Sequence, residues 1–332
     1  MRVLNDKIAD EDIYYHHKPI FISVVIIAYN RKEFLVNAIE SVMNQTLSKD
    51  NYEILVIKNF RDPIIDKFIE ENNIKNVYSG DKTLSGKIAN ALNICKGNVI
   101  SFLEDDDLFL KNKLEYVYNL FNNNKDLVFY RNAVSFIDDF RNLLNINNME
   151  PDFNLSAMSI YKDILNINGL EGILTGVDTF VYFVALDSGG KVVYNDKILS
   201  YYRRHESETH PTGSLNNIII SRISVDSLII ASLQKLYTML HDTSLKKKVK
   251  YRILSFELNS NLMLSLIKKN YKYKIDRNDI IFWLKNARYR SYSDHGVIEN
   301  IKSFFHNISI LILLRVPVFF KRNLIKNYLE SI

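Results

Sequence analysis

Phe21-Ile-Ser-Val-Val-Ile-Ile-Ala28 is a nearly uninterrupted, β-branched apolar run, and Tyr29-Asn30-Arg31 follows it directly. Next comes a pattern with Phe34, Leu35, Ala38, Ile39 and Val42 on one helical face. The order is strand, loop, helix, and it repeats. A second strand is expected over Tyr52 to Ile57, followed by a helix that Asp62 can N-cap with Pro63 at its first position and that ends near Asn72-Asn73. A third unit has a short strand around Val77 and a helix from about Leu84 to Cys95. A fourth strand, Asn98 to Leu103, runs straight into Glu104-Asp105-Asp106-Asp107, with another helix starting near Leu110. Strands alternating with helices imply right-handed βαβ units in a mostly parallel sheet covered on both faces. Ligands of such sheets bind at the carboxyl ends of the strands, where both Tyr29-Asn30 and the four acids lie.

After about residue 126 the pattern changes. Short strands are expected at Leu127 to Tyr130 and Ala133 to Ile137, then a loop-rich stretch reaching Gly176. A helix from Asp178 to about Leu186 closes at Ser188-Gly189-Gly190 and leads to strands Lys191 to Tyr194 and Ile198 to Arg203. From Leu215 onward long amphipathic helices dominate, with Pro211 and Gly213 at the boundary. The expected division is an extension over 1–20, a main domain over 21–210 with halves 21–125 and 126–210, and a helical region over 211–332.

Composition narrows the chemistry. One cysteine, Cys95, in 332 residues excludes a disulfide framework and a Cys-rich metal site, and points to a reducing compartment. Neither common glycine-rich phosphate loop is present, which disfavours dinucleotide dehydrogenases and P-loop NTPases. Residues 1–210 carry 23 basic and 30 acidic side chains, whereas residues 211–332 carry 20 and 8. An acidic half that must handle anions calls for a metal ion, and the basic half suits an anionic surface. The polar, mixed-charge start, Met1 to Lys18, predicts no cleavable signal, and His16-His17 reads as surface.

Four consecutive carboxylates repel one another unless water or a cation lies among them. Mg²⁺ or Mn²⁺ suits the need, since such ions take one or two carboxylates plus substrate phosphate oxygens. A solvated acidic loop, with Asp107 capping the next helix, is the structural alternative.

The segments Ser-Val-Val-Ile-Ile-Ala-Tyr-Asn-Arg at 23–31, Ala-Ile-Glu-Ser-Val-Met-Asn-Gln-Thr at 38–46, Ala91-Leu92-Asn93 with Gly97, and Phe102-Leu-Glu-Asp-Asp-Asp107 together resemble the inverting family 2 glycosyltransferases over roughly 21–210. The resemblance implies the α/β A-type glycosyltransferase fold, with a Rossmann-like sheet flanked by helices, here followed by a C-terminal helical region. The half 21–125 would hold the nucleotide and 126–210 the acceptor. It also implies a nucleotide-sugar donor, UDP- or GDP-linked, held through a divalent metal by an Asp-x-Asp motif that Glu104-Asp105-Asp106 matches.

By this resemblance Asp106 is the metal ligand, with Glu104 and His205 as further ligands. Asp105 reaches the ribose or supports the site, and Tyr29 stacks on the base. Asn30 and Lys87 join the nucleotide-sugar set. Where the family usually has Asp-Asp-Gly-Ser, this chain has Lys58-Asn59-Phe60-Arg61, so Asn59 is expected at a base edge and Lys58 or Arg61 near phosphate. Gly169-Leu170-Glu171 and Thr175-Gly-Val-Asp178 match the acceptor-side pattern. Asp178 then aligns with the catalytic base, an acid equally suited to N-cap a helix, and Glu171 is the next candidate. Tyr202-Arg203-Arg204-His205 resembles the family's closing motif, with Arg203 on the diphosphate and 206–213 as a flap.

The apolar segment Ile308 to Phe320, flanked by Phe304-Phe305 and Lys321-Arg322, is too short to span a bilayer comfortably. It suits an interfacial helix, or a core-packing pair broken at Pro317. The expected partners are therefore a nucleotide-sugar donor, a glycan or lipid-linked acceptor and a membrane surface, without nucleic acid. The expected location is cytoplasmic, peripheral on the inner face of the membrane. The competing readings are a sugar nucleotidyltransferase, which would carry a glycine-rich basic loop after the first strand, and a catalytically idle binding protein.

Overall fold

The computed structural model describes residues 2–3, 19–144, 154–204, 214–290 and 297–315. The chain divides into two compact units, Met1–Glu208 and Thr209–Ile332.

The first unit is built on a sheet of ten strands: β1 (Arg2–Val3), β2 (Ile22–Ala28), β3 (Tyr52–Lys58), β4 (Lys75–Tyr78), β5 (Val99–Glu104), β6 (Leu108–Phe109), β7 (Leu127–Ile137), β8 (Leu143–Leu144), β9 (Met158–Tyr161) and β10 (Lys191–Arg203). The order across the sheet is β1-β10-β7-β9-β5-β2-β3-β4, with β6 on β10 and β8 on β7. Strands β4, β3, β2 and β5 pair in parallel, as do β7 and β10, while β9 runs antiparallel between β5 and β7. All seven residues of β2 are buried, as a strand covered on both faces requires.

Helices α1 (Leu35–Met43), α2 (Pro63–Glu71), α3 (Leu84–Ile94), α4 (Lys113–Asn123), α5 (Ile167–Leu170) and α6 (Val177–Asp187) flank this sheet. Helix α1 buries Leu35, Ala38, Ile39 and Val42, and Asp62 caps α2 by accepting from the amides of Ile64 and Ile65. Gly97 lets the chain pass against β2: a Cβ there would lie 2.4 Å from the Ser23 amide nitrogen.

Three expectations need correction. The strands expected at 127–130 and 133–137 form one strand, β7, and those at 191–194 and 198–203 form one bulged strand, β10. Polar Arg131-Asn132 separated the two expected strands, yet Asn132 is fully buried in the sheet and donates to the Ser200 hydroxyl at 3.2 Å. Short β6 follows the acidic cluster, so α4 begins at Lys113 and not near Leu110.

The second unit packs α7 (Leu215–Met239), α8 (Thr243–Leu266), α9 (Arg277–Lys285) and α10 (Val297–Arg315) around Tyr251, Leu254, Leu258, Trp283 and Ile310. The Trp283 indole stacks on Tyr251 and donates to the Ser255 hydroxyl at 2.7 Å. Within α7, Asn216–Met239 is long and apolar enough to cross a membrane by length and composition, the one such stretch among the described residues. The segment expected at Ile308 to Phe320 is the end of the longer helix α10, and 316–320 lie outside the described residues. Ile310 packs into the core while Phe304, Phe305 and Ile312 stay exposed, so α10 carries apolar side chains on both its buried and its exposed sides.

Burial, assisted by the charge of Arg290, pushes the His306 imidazole on α10 down from 6.5 to about 4. The unfolded chain therefore takes up this proton first. The stability it confers is complete above about pH 6.5 and is lost as the pH falls through 4. We expect the thermal midpoint of the C-terminal unit to fall over that window and His306→Gln to flatten the fall, as read by circular dichroism.

Candidate active site

Parallel register brings the site together. Ala28 pairs with Lys58 and Ile27 with Glu104, so the segments leaving β2, β3 and β5 emerge side by side at the carboxyl edge. Tyr29 to Arg31, Asn59 to Arg61 and the acidic cluster thus become neighbours. Strand β10 arrives antiparallel to β6, with Tyr201 opposite Leu108, which sets Arg203 against Asp106 and Asp107.

The acidic turn divides its carboxylates. Asp105 and Asp107 are buried, whereas Glu104 and Asp106 stay partly exposed. Asp107 accepts from the Arg203 amide at 3.0 Å and from the Asn154 side chain at 3.1 Å. Burial, with the neighbouring Asp106 charge, pushes it up to about 7. Asp105 accepts from the Tyr29 amide at 3.2 Å and from Arg31 at 2.7 Å. Burial raises it to about 6 even against that arginine. Glu104 is held well above the ordinary carboxylate range, by burial first and then by the charges of Asp107, Asp106 and Asp178.

Two arginines and a buried lysine surround this charge. Arg31 bridges Asp105 and Asp106, each at 2.7 Å. Burial works against its charge, and the two aspartates more than offset it, so its pKa is raised. From behind, the Arg203 side chain is 1% exposed and donates to the carbonyls of Asp106 at 2.8 Å, Asp138 at 2.8 Å and Asp139 at 3.0 Å. Its guanidinium lies over the Phe34 ring, and of its own nitrogens only Nη2 lacks a hydrogen-bond partner among the described residues. Expected on a diphosphate, Arg203 instead spends most of its donors holding the turn. Buried Lys113 donates to the Ser156 carbonyl and to the Ser200 hydroxyl at 2.9 Å, and burial drives its pKa well down.

Tyr29 is half-exposed, and the Lys87 ammonium sits 4.5 Å from its ring centroid. Lys87 is itself buried, donates to the Asp81 carbonyl at 2.6 Å and has a pKa lowered by that burial. It therefore orients the ring from beneath. Asn30, with φ of 56°, and Asn59 bond reciprocally: Asn59 Oδ1 accepts from the Asn30 amide at 2.9 Å and Asn59 Nδ2 donates to Asn30 Oδ1 at 2.7 Å. Lys58 corrects an expectation. It is buried, with Nζ 2.6 Å from Asp66 and 2.9 Å from the Phe60 carbonyl, so it braces the loop and does not face a phosphate. Arg61 stacks over the Tyr78 ring.

Asp178 lies one residue inside α6, and the N-cap is Gly176 with φ of 69°. The acid is thus not the cap. Its Oδ1 accepts from the Thr179 amide at 2.6 Å, and its charge is among those that raise the Glu104 carboxyl. Glu171 is exposed at the end of α5. His205 and 206–213 lie outside the described residues.

The donor set fits a hard divalent cation in its chemistry, since the crowded groups are carboxylates. Among the described residues no three Asp, Glu, His or Cys side chains converge as ligands. A cation at Asp106 would complete its shell with phosphate oxygens and water. Arg31 and Lys113 escaped the sequence reading. Arg31 had a signal, its place two residues past Tyr29, whereas Lys113 reads as an ordinary position at the start of a helix.

Residues 23–183 match the family described as Glycosyl transferase family 2. The glucosyltransferase WfaP of Escherichia coli, described as acting from UDP-Glc on α-D-GlcNAc-diphosphoundecaprenol, is 27% identical over 200 residues, 55% of this chain and 77% of that protein. An uncharacterized glycosyltransferase of Methanocaldococcus jannaschii, MJ1057, is 34% identical over 134 residues, 38% of this chain, and the match spans only 46% of its own length. Among solved structures, S. aureus TarS 1-349 in complex with UDP-GlcNAc superposes with a TM-score of 0.56 over 94% of this chain and 92% of that one, at 13% identity. The mannosyltransferase PcManGT of Pyrobaculum calidifontis, in complex with GDP-Man and Mn²⁺, gives 0.54 over 92% and 89% at 10% identity. At such identities the likeness is one of fold.

If Arg203 chiefly holds the acidic turn, Arg203→Met leaves several buried carbonyls unpaired and destabilises the first unit by about 3 kcal/mol, with Arg203→Lys intermediate. Urea unfolding of the full chain measures this. Unchanged stability in both variants would return Arg203 to a purely ligand-binding role.

Proposed function

The chain carries a family 2 glycosyltransferase domain over residues 23–183, and from that premise we propose that it moves one sugar from a nucleoside diphosphate sugar to a glycan or lipid-linked acceptor hydroxyl, with inversion. The observation that supports this reading best is the meeting at one sheet edge of the half-exposed Tyr29 ring, the Asp106 carboxylate and an Asp178 close enough for its charge to act on Glu104.

The Tyr29 ring, oriented by Lys87, stacks against the nucleobase, and Asn30 and Asn59 face its edge. Asp105 holds the loop of Tyr29 in place. Asp106, with Glu104 and His205 as further candidate ligands, would hold Mg²⁺ or Mn²⁺, which when bound neutralises charge on the departing diphosphate. Asp178 takes the proton of the acceptor hydroxyl as that oxygen bonds to the anomeric carbon. The bond from that carbon to the diphosphate breaks on the opposite face, and the nucleoside diphosphate leaves. Donors carrying uracil and guanine both occur among the similar proteins, as UDP-GlcNAc and GDP-Man, so either base is compatible. The diphosphoundecaprenol acceptor in the WfaP description supports a lipid-linked acceptor and a place at the cytoplasmic membrane surface.

Radiolabelled UDP- and GDP-sugars incubated with Mn²⁺ and the chain identify the donor by transfer or slow hydrolysis. Asp178→Asn should keep donor affinity and lose turnover by about 10²-fold or more. Near-normal turnover would shift the base to Glu171. Asp106→Ala should abolish the Mn²⁺ dependence of nucleoside diphosphate binding in calorimetry while leaving the thermal midpoint no lower, because it removes one charge from a repulsive cluster. Failure of every donor to react while one binds would favour the idle binding reading.

A further inference from the structure

The C-terminal unit holds a cavity of about 410 Å³ that the proposed reaction does not use. It lies against α8, α9, α10 and the 267–276 connection, and its walls include Leu258, Ile275, Ile280, Ile308 and Leu311. Its size falls within the roughly 300–1,000 Å³ usual for small-molecule sites.

The polar groups of the lining are already engaged. Asn261 Oδ1 accepts from the amides of Lys272 and Tyr273, each at 3.1 Å, and its Nδ2 donates to the Tyr273 carbonyl at 2.8 Å. The Tyr271 hydroxyl donates to the Leu314 carbonyl at 3.2 Å. Arg315 remains, exposed at the end of α10 and without an ion pair among the described residues. A polar ligand entering the cavity would lose its water and find no hydrogen bonds, whereas a hydrocarbon loses nothing. An anion is welcome only outside, at Arg315.

The surroundings repeat this division. The connection reads Lys268-Lys269-Asn270-Tyr271-Lys272-Tyr273-Lys274, and Lys268, Lys269 and Lys274 are exposed. Tyr271 is 54% exposed. On α10, Phe305 at 62% and Ile312 at 57% exposure stand seven residues apart, on one helical face. Apolar and aromatic tips beside lysines are the composition of a surface that sits at a lipid headgroup layer.

We propose that this cavity takes one hydrocarbon chain of an anionic membrane phospholipid, with the phosphate against Arg315 and the lysines at 268, 269 and 274. The charge of 211–332, 20 basic against 8 acidic side chains, complements such a headgroup layer. The proposal is independent of the transfer reaction, because lipid binding is read without donor or acceptor.

The test uses the full chain with sucrose-loaded vesicles of phosphatidylcholine, with or without phosphatidylglycerol. Wild type should sediment with the phosphatidylglycerol vesicles alone and be released by high salt. Arg315→Glu should weaken this at least tenfold. Leu311→Trp, which fills the cavity, should weaken it about as much with an unchanged circular dichroism spectrum. Should Leu311→Trp misfold, wild type and a pyrene-labelled lysophosphatidylglycerol decide: the probe should bind and be displaced by phosphatidylglycerol but not by glycerol phosphate. Equal sedimentation of wild type and a folded Leu311→Trp, equal binding to neutral vesicles, or attachment that resists high salt would overturn the proposal. So would binding that appears only in a chain ending at Arg315, which would make 316–332 the occupant.

Discussion

Four carboxylates at the end of β5 repel one another, and much of the first unit is organised to contain that repulsion. Asp107 is turned inward, where the Arg203 amide and Asn154 hold it, while the Arg203 guanidinium ties down the backbone of the turn from behind. Arg31 closes the front by joining Asp105 to Asp106. The arrangement remains unbalanced, since Glu104, Asp105 and Asp107 all hold protons more tightly than free carboxylates do. Such tension at a solvent-facing edge is the electrostatic character that functional sites share.

The sheet converts this local tension into a site. Because β2, β3 and β5 are parallel and in register, the loops that follow them leave from one edge, and no single loop has to build the site alone. The return of β10 beside β6 adds the fourth side and ties the acidic turn to a strand formed almost 100 residues later in the chain. Distant segments therefore fold together or the turn is not held. The order of elements alone does not contain that coupling.

The parallel half of the fold was legible because its signals are local: β-branched runs, a capping Asp62 and helical stripes such as Leu35, Ala38, Ile39 and Val42. The later strands were less so. Their polar interruptions include Asn132 and Asn195, buried amides that bond across the sheet to the Ser200 and Tyr130 hydroxyls, and a sequence shows polarity but not its partners. The same blindness explains Lys58 and Lys113, which look like surface lysines and are buried by pairing with Asp66 and with oxygens of the Ser156 and Ser200 region. Asp178 was singled out by its place in a pattern. Its position inside the helix depends on the left-handed Gly176 before it.

If the nucleobase edge meets Asn30 and Asn59 as proposed, the pair has a consequence for selectivity. Each amide already donates to or accepts from the other, so a nucleobase edge arriving between them exchanges existing hydrogen bonds for new ones of similar strength. A carboxylate at position 59 would repel or attract a base edge according to where its N–H groups lie, whereas an amide can rotate to offer either its N–H or its C=O. Pyrimidine and purine edges would then be told apart less by polarity than by ring size and overlap on Tyr29. On that reading this loop would be a permissive joint, at which a change of sugar nucleotide needs little rebuilding of the strands beneath.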